Sequence, residues 1–228
     1  MKTRVIPAIL MSTLLIVLAG CFGEKEPEKP KTSDTPETSE TADIIAAIDK
    51  MKLENAPTLA PAMKEWTMAV INNNYDKAWD LMSTSTQESA ARRLGMYQQS
   101  LEARVNNLET EINDPAVPEE NKAETREQYE ESKKVLQELK AMEGDGKKFF
   151  AWVMKRVEKM EDGFVASVAK GRIEVLSENV EGDTGYIVHK RLEQDTERKW
   201  YFTRENGGWR FDLNKSIEEA EKKRRATE

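Results

Sequence analysis

Lys199-Trp200-Tyr201-Phe202-Thr203-Arg204-Glu205-Asn206-Gly207-Gly208-Trp209-Arg210-Phe211-Asp212-Leu213 is the stretch on which the fold class rests. Side chains alternate with a period of two along an extended chain, so Trp200 and Phe202 share one face. Asn206-Gly207-Gly208 carries the residues that a tight hairpin turn requires. Trp209, Phe211 and Leu213 then resume the alternation, with Arg210 and Asp212 on the other face. Two antiparallel strands follow from this stretch alone.

Reading backwards extends the pattern into a meander. Gln194-Asp195-Thr196-Glu197 is read as a turn, and Tyr186 to Leu192 as a strand with Tyr186, Val188 and Leu192 facing the core. That phase puts Ile187, His189 and Arg191 on the opposite face. Glu181-Gly182-Asp183-Thr184-Gly185 is another turn, Arg172 to Val180 alternates through Ile173 and Val175, and Val165 to Val168 reads as a short strand.

Upstream the apolar period becomes helical. Lys147 to Met160 is the most apolar of these elements, and Asp145 within Gly144-Asp145-Gly146 suits its N-cap. Ser85-Thr86-Gln87-Glu88 has the form of a capping box, after which Leu94, Tyr97, Leu101, Val105 or Leu108, and Ile112 step by threes and fours. A break at Asn113 to Pro118 and a second stripe of Tyr129, Leu136, Leu139 and Met142 predict an antiparallel helical hairpin over residues 85–144. Before it, Pro61 suits the first turn of a helix bearing Met63, Trp66, Ala69 and Val70. Asn72-Asn73-Asn74 interrupts, and Tyr75 to Met82 forms a further short helix. Ile44, Ala47, Ile48 and Met51 predict one more. Helices on an antiparallel meander make an α+β domain over residues 43–213, followed by a polar C-terminal tail, 214–228. In that tail Ser216-Ile217-Glu218-Glu219 begins a short polar helix.

The first 42 residues have a different character. Met1, Lys2 and Arg4 precede an apolar run from Val5 to Ala19, which is short of the roughly 20 residues that span a bilayer. This order fits a signal peptide, residues 1–20, ending in small residues. Residues 21–42 are rich in Pro, Glu, Lys, Ser and Thr, the composition of a disordered tether.

Leu18-Ala19-Gly20-Cys21 resembles the lipobox of bacterial lipoproteins at all four positions. The resemblance implies diacylglycerol on the Cys21 thiol, removal of residues 1–20, and acylation of the new amino terminus. Phe22 after the cysteine, rather than Asp, implies outer-membrane sorting where the source has an outer membrane, and otherwise the outer face of the cell membrane. Met63 to Met82, with its Tyr75-Asp76-Lys77-Ala78-Trp79-Asp80-Leu81 core, and the stretches Glu181 to Val188 and Glu205 to Asp212 resemble the nuclear-transport-factor-two-like superfamily. That family has a cystatin-like, cone-shaped fold, so the helices are expected to pack on a curved antiparallel meander with the hairpin as an insertion.

Composition narrows function. The chain holds 35 basic and 42 acidic residues, and loss of Lys2 and Arg4 takes the net charge from −7 to −9. That balance disfavours nucleic acid, whose binders carry a basic face. One cysteine permits no intramolecular disulfide, and one histidine with one cysteine excludes the usual zinc site. No cofactor motif is present: Gly144-Asp145-Gly146-Lys147-Lys148 lacks the outer Gly and the final Ser/Thr of a phosphate loop.

Trp66, Trp79, Tyr186, Val188, Trp200, Phe202, Trp209 and Phe211 are the candidate pocket or core lining. The preferred function is a non-catalytic envelope lipoprotein, lipid-anchored to a membrane through Cys21, that binds a protein or ligand, with the helical hairpin as the surface for an envelope protein partner. The alternatives are a cone-fold enzyme using His189 or a buried carboxylate, and a structural protein that self-associates.

Overall fold

The computed structural model describes residue 48, residues 51–157, residue 168, and residues 172–191 and 194–225. The expected helix beginning at Ile44 lies outside these residues apart from Ile48, which is helical and buried, and Met51. The expected signal peptide and tether, Cys21 included, also lie outside them. Within them the fold is helices plus a four-stranded antiparallel sheet, an α+β architecture. Two compact units divide the chain. One comprises the chain up to Gln87 and from Ala151 onward, and the other is Glu88–Phe150.

The sheet belongs to the first unit. β1 (Ile173–Glu181), β2 (Thr184–Arg191), β3 (Gln194–Glu205) and β4 (Gly208–Asp212) lie in sequence order. Asn206 and Gly207 both take positive φ, 51° and 80°, as a two-residue hairpin joining strands of right-handed twist requires. The expected turn at Gln194 to Glu197 is instead the start of β3, which pairs Gln194 with Arg191 and Glu197 with Lys190 across a register shift. Bulge-like shifts there and between Val175 and Ser177 let the strands bend. Val168 is helical and buried rather than extended. The rest of that expected strand, residues 165–167, lies outside the described residues.

The phase of β2 is the reverse of the sequence expectation. Ile187 and His189 are buried, while Tyr186 and Val188 are only partly covered. Gly185 explains this. It pairs with Val180 and with Phe202, and a Cβ there would sit 2.9 Å from the Asn179 carbonyl oxygen and 3.1 Å from Leu59 Cδ1. Only glycine fits that inward position, so the residues two and four further on also face inward.

Each sheet edge is met at one residue by an earlier segment of the chain. On the β1 side, the Val175 N–H donates to the Met51 carbonyl (2.9 Å) and Asn55 Nδ2 donates to the Val175 carbonyl (2.9 Å). On the β4 side, the Phe211 N–H donates to the Leu81 carbonyl (2.9 Å) and the Ser83 N–H to the Phe211 carbonyl (3.0 Å).

α1 (Ala60–Ile71) starts with Pro61 in its first turn and buries Met63, Trp66, Thr67 and Val70. Glu178 of β1 fixes its start: the carboxylate accepts the Leu59 N–H at 2.9 Å and the Thr58 N–H at 3.0 and 3.2 Å. A negative group there also suits the helix dipole. Asn74 caps α2 (Tyr75–Asp80) by accepting the Lys77 N–H at 3.1 Å.

α3 (Thr84–Asn113) begins one residue before the expected capping box. Ser83, not Ser85, takes the Thr86 N–H (3.3 Å), because the chain leaves the β4 edge at Ser83. α4 (Glu119–Lys140) returns antiparallel. Gln98 Nε2 donates to the Leu139 carbonyl, Lys140 pairs with Glu102, Arg104 reaches Gln128, and Thr125 reaches Glu111. Partners therefore run in opposite directions along the two helices, as the sequence predicts. On α4 the buried positions Lys122, Thr125, Ser132, Leu136 and Leu139 follow the three-and-four spacing of a coiled-coil seam. The seam is polar near the turn and apolar towards the helix end.

α5 (Gly146–Val157) buries Phe149, Phe150, Val153, Met154 and Val157. The expected tail is α6 (Leu213–Arg225), a correction, since Ser216 and Ile217 are buried.

Asp145 caps α5. Its Oδ1 accepts the Lys148 N–H at 3.1 Å and the Lys147 N–H at 2.9 Å. The Lys148 N–H foremost holds this carboxyl below its ordinary value. A depressed folded-state pKa contributes stability above the unfolded pKa that is lost as pH falls through the folded one. Asp145→Asn should therefore flatten part of the acid limb of the stability–pH curve, measured by urea unfolding between pH 6 and pH 2. An unchanged acid limb would refute the capping role.

Candidate functional site

Three groups of side chains in the first unit merit a functional reading. The first lies on the inner face of the sheet. His189 is stacked on Trp200, with ring centroids 3.7 Å apart and planes 21° apart. They are diagonal neighbours, because Ile187 pairs with Trp200 and His189 with Arg198. Trp66 of α1 meets Phe211 at 4.7 Å, and Phe211 meets Phe202 at 5.5 Å. Of the predicted lining, Trp66, Trp200, Phe202 and Phe211 are buried, and these ring contacts join Trp66, Phe211 and Phe202. Trp79 and Trp209 are half-buried: the Trp79 carbonyl accepts Gln87 Nε2 at 2.8 Å, and Trp209 pairs with Arg204. Tyr186 and Val188 belong to the outer face, as the reversed phase of β2 dictates.

His189 is 2% exposed. The stack on Trp200 gives the ring a packing role on the inner face of the sheet. The arrangement supports a histidine that belongs to the core.

The second group surrounds Asp212, which the alternation places with Arg210 on the face away from Trp209 and Phe211, and which is buried. Its Oδ1 accepts the Lys215 N–H at 2.9 Å and the Thr86 hydroxyl at 3.3 Å, while the Ser85 hydroxyl lies 3.4 Å from Oδ2. Thr86 Oγ1 also accepts the Asn214 N–H (3.2 Å), and the Ser216 hydroxyl donates to the Asp212 carbonyl (2.8 Å). Ser216 Oγ in turn accepts the Tyr201 N–H at 2.9 Å, at the point where β4 gives way to α6. Both carboxylate oxygens are engaged by its own fold, with Thr203 Oγ1 also 3.5 Å from Oδ2, so the group joins these elements. Nearby, Glu205 accepts from the Thr84 N–H and hydroxyl, tying the first turn of α3 to β3. The run Ser83-Thr84-Ser85-Thr86, four hydroxyls before a long helix, was the signal in the sequence for this cluster.

The third group lies on the outer face of the sheet. Tyr186 and Tyr201 pair across β2 and β3 with ring centroids 5.6 Å apart. Lys199 Nζ lies 3.9 Å from the centre of the Tyr186 ring, and Lys215 Nζ 4.9 Å from that of Tyr201. Burial, above all, pushes the Tyr201 phenol above its ordinary value.

Among the described residues no cluster of His, Cys, Asp and Glu could hold a metal ion, and no helix is long and apolar enough to cross a membrane. Met96 and Val180 are the exposed large hydrophobic residues there. The hairpin therefore shows no apolar stripe outside its seam. Comparison with protein-family models, characterised proteins and solved structures gives no match to this chain.

If His189 is a packing residue, its ring matters and its nitrogens do not. His189→Ala should cost ~2–4 kcal/mol through the cavity it leaves, and His189→Phe, which keeps an aromatic ring against Trp200, should cost clearly less. Urea unfolding followed by Trp fluorescence reads both. Equal losses would refute the packing role.

Proposed function

We propose that this chain is a bacterial envelope lipoprotein, held to a membrane by acyl chains on Cys21, whose folded part is a non-catalytic binding module. The observation that carries this reading is Leu18-Ala19-Gly20-Cys21 at the end of the apolar run Val5 to Ala19. One acyl chain gives marginal, reversible attachment at ~0.8 kcal/mol per buried CH₂, and several together make it lasting. Phe22 in the position after the cysteine favours the outer membrane, where the source has one.

The non-catalytic part of the reading is supported by the enclosed His189 and by an Asp212 whose carboxylate oxygens are both engaged by its own fold. The finer fold is read as cone-like and cystatin-like, with α1 lying against the inner face of a bent meander. The hairpin is read as the element that reaches a protein partner in the envelope. Its exterior is mostly Glu, Lys, Arg and Gln, so recognition there would be polar and charge-specific rather than a hydrophobic-groove contact.

Mass spectrometry of the mature protein tests the anchor. The wild type should begin at Cys21 with diacylglycerol on sulfur and should stay with the membrane fraction. Cys21→Ala should carry no lipid and retain residues 1–20. An unmodified Cys21 thiol in the wild type would overturn the reading.

A further inference from the structure

Among the described residues Lys133, Lys155, Lys199 and Lys215 lie over tyrosine rings, and the last two do so on adjoining rings. Lys52, Lys77, Lys140, Lys148, Lys190 and Lys222 each lie in an ion pair with a carboxylate. Lys199 and Lys215 are exposed and lie over the rings of Tyr186 and Tyr201. The two tyrosines touch across the strands, so two ammonium groups and two half-buried phenols occupy one patch of the outer sheet face. Glu219 and Lys222 of α6 lie near the Tyr201 phenol, but they pair with each other at 2.7 Å.

We propose that this Tyr186–Tyr201–Lys199–Lys215 face docks on anionic phospholipid headgroups of the membrane that holds the Cys21 anchor. The proposal rests on the lipoprotein reading above. Lysine supplies the charge complementarity, and tyrosine, with an apolar ring and a polar tip, is suited to the boundary between headgroups and acyl chains. The patch brings two ammonium groups and two such rings together at one place on the sheet.

Two lysines are a weak attraction, each worth roughly five-fold in affinity close to an anionic surface. The free domain would gain little from that. The anchored domain is different, because the chain between Cys21 and Ile48 spans at most ~95 Å when fully extended. Confinement to that distance raises the effective concentration of headgroups at the patch. Beyond a Debye length of ~8 Å at physiological salt the attraction fades, so docking is salt-sensitive.

The test uses the mature lipidated protein reconstituted into two sets of vesicles, pure phosphatidylcholine and phosphatidylcholine with 30% phosphatidylglycerol. Amines are acetylated with a brief pulse of reagent, and each lysine is quantified by mass spectrometry. Lys199 and Lys215 should label at least three-fold more slowly in the anionic vesicles, with the difference lost in 0.5 M salt. Lys133, which lies over Tyr129 at 5.2 Å on the hairpin, is the control for a lysine on an aromatic ring and should label alike in both. Equal labelling of Lys199 and Lys215 in the two vesicle sets would overturn the docking face while leaving the anchor intact. Equal slowing of Lys133 would show general crowding at the bilayer and would also overturn it. Protein that carries no lipid on Cys21 and does not stay with the vesicles would remove both the anchor and this proposal.

Discussion

The carboxylate of Asp212 is the point at which three elements of this fold meet. It sits at the end of β4, accepts the Lys215 N–H of the first turn of α6, and accepts the hydroxyl of Thr86 at the start of α3. A hydrogen bond to a charged group contributes about 1.5–3 kcal/mol, more than one between neutral partners. Burying the charge without those partners would be unfavourable, so the hydroxyls and the N–H groups have to be in place together. Glu205 does a similar service one turn of chain away, on Thr84. Between them the two carboxylates fix where α3 leaves the sheet.

This joint gives the long insertion a defined origin. α3 runs without interruption from Thr84 to Asn113, and its first turn is the part held by these carboxylates. The same joint converts the edge of β3 from strand pairing to helix: where β4 ends, Ser216 Oγ takes over the Tyr201 N–H. An acidic chain with 42 carboxylates thus uses a few of them as structural acceptors, Asp212, Glu205, Glu178 and Asp145, each at the start of a helix. Four helix starts are fixed by the same physical device, a negative acceptor facing unpaired N–H groups.

Local signals were read correctly where one residue type has one use. Asn206-Gly207 turns the β3–β4 hairpin, Asp145 caps α5, Pro61 opens α1, and the helical stripes of 85–144 pair as an antiparallel hairpin. The inward set Trp66, Trp200, Phe202 and Phe211 was legible for the same reason, as large apolar side chains in phase. β2 was not, because Tyr186, Val188 and Leu192 outscore Ile187 and His189 on hydrophobicity alone. Its phase depends on the space at Gly185, which is set by Leu59 and Asn179, residues far away and on another strand. Asp212 was missed because its hydroxyl partners Ser85 and Thr86 lie more than a hundred residues earlier. Alternation along a strand says nothing about hydroxyls that arrive from another element.

The most direct test of this account is a double-mutant cycle between Thr86 and Asp212, read by urea unfolding of the wild type, Thr86→Val, Asp212→Ala and the double variant. Residues that share a hydrogen bond should not be additive. The predicted coupling is ~1–2 kcal/mol, with the double variant losing less than the two single losses together. Additivity within ~0.3 kcal/mol would contradict the claim that this carboxylate joins α3 to the sheet.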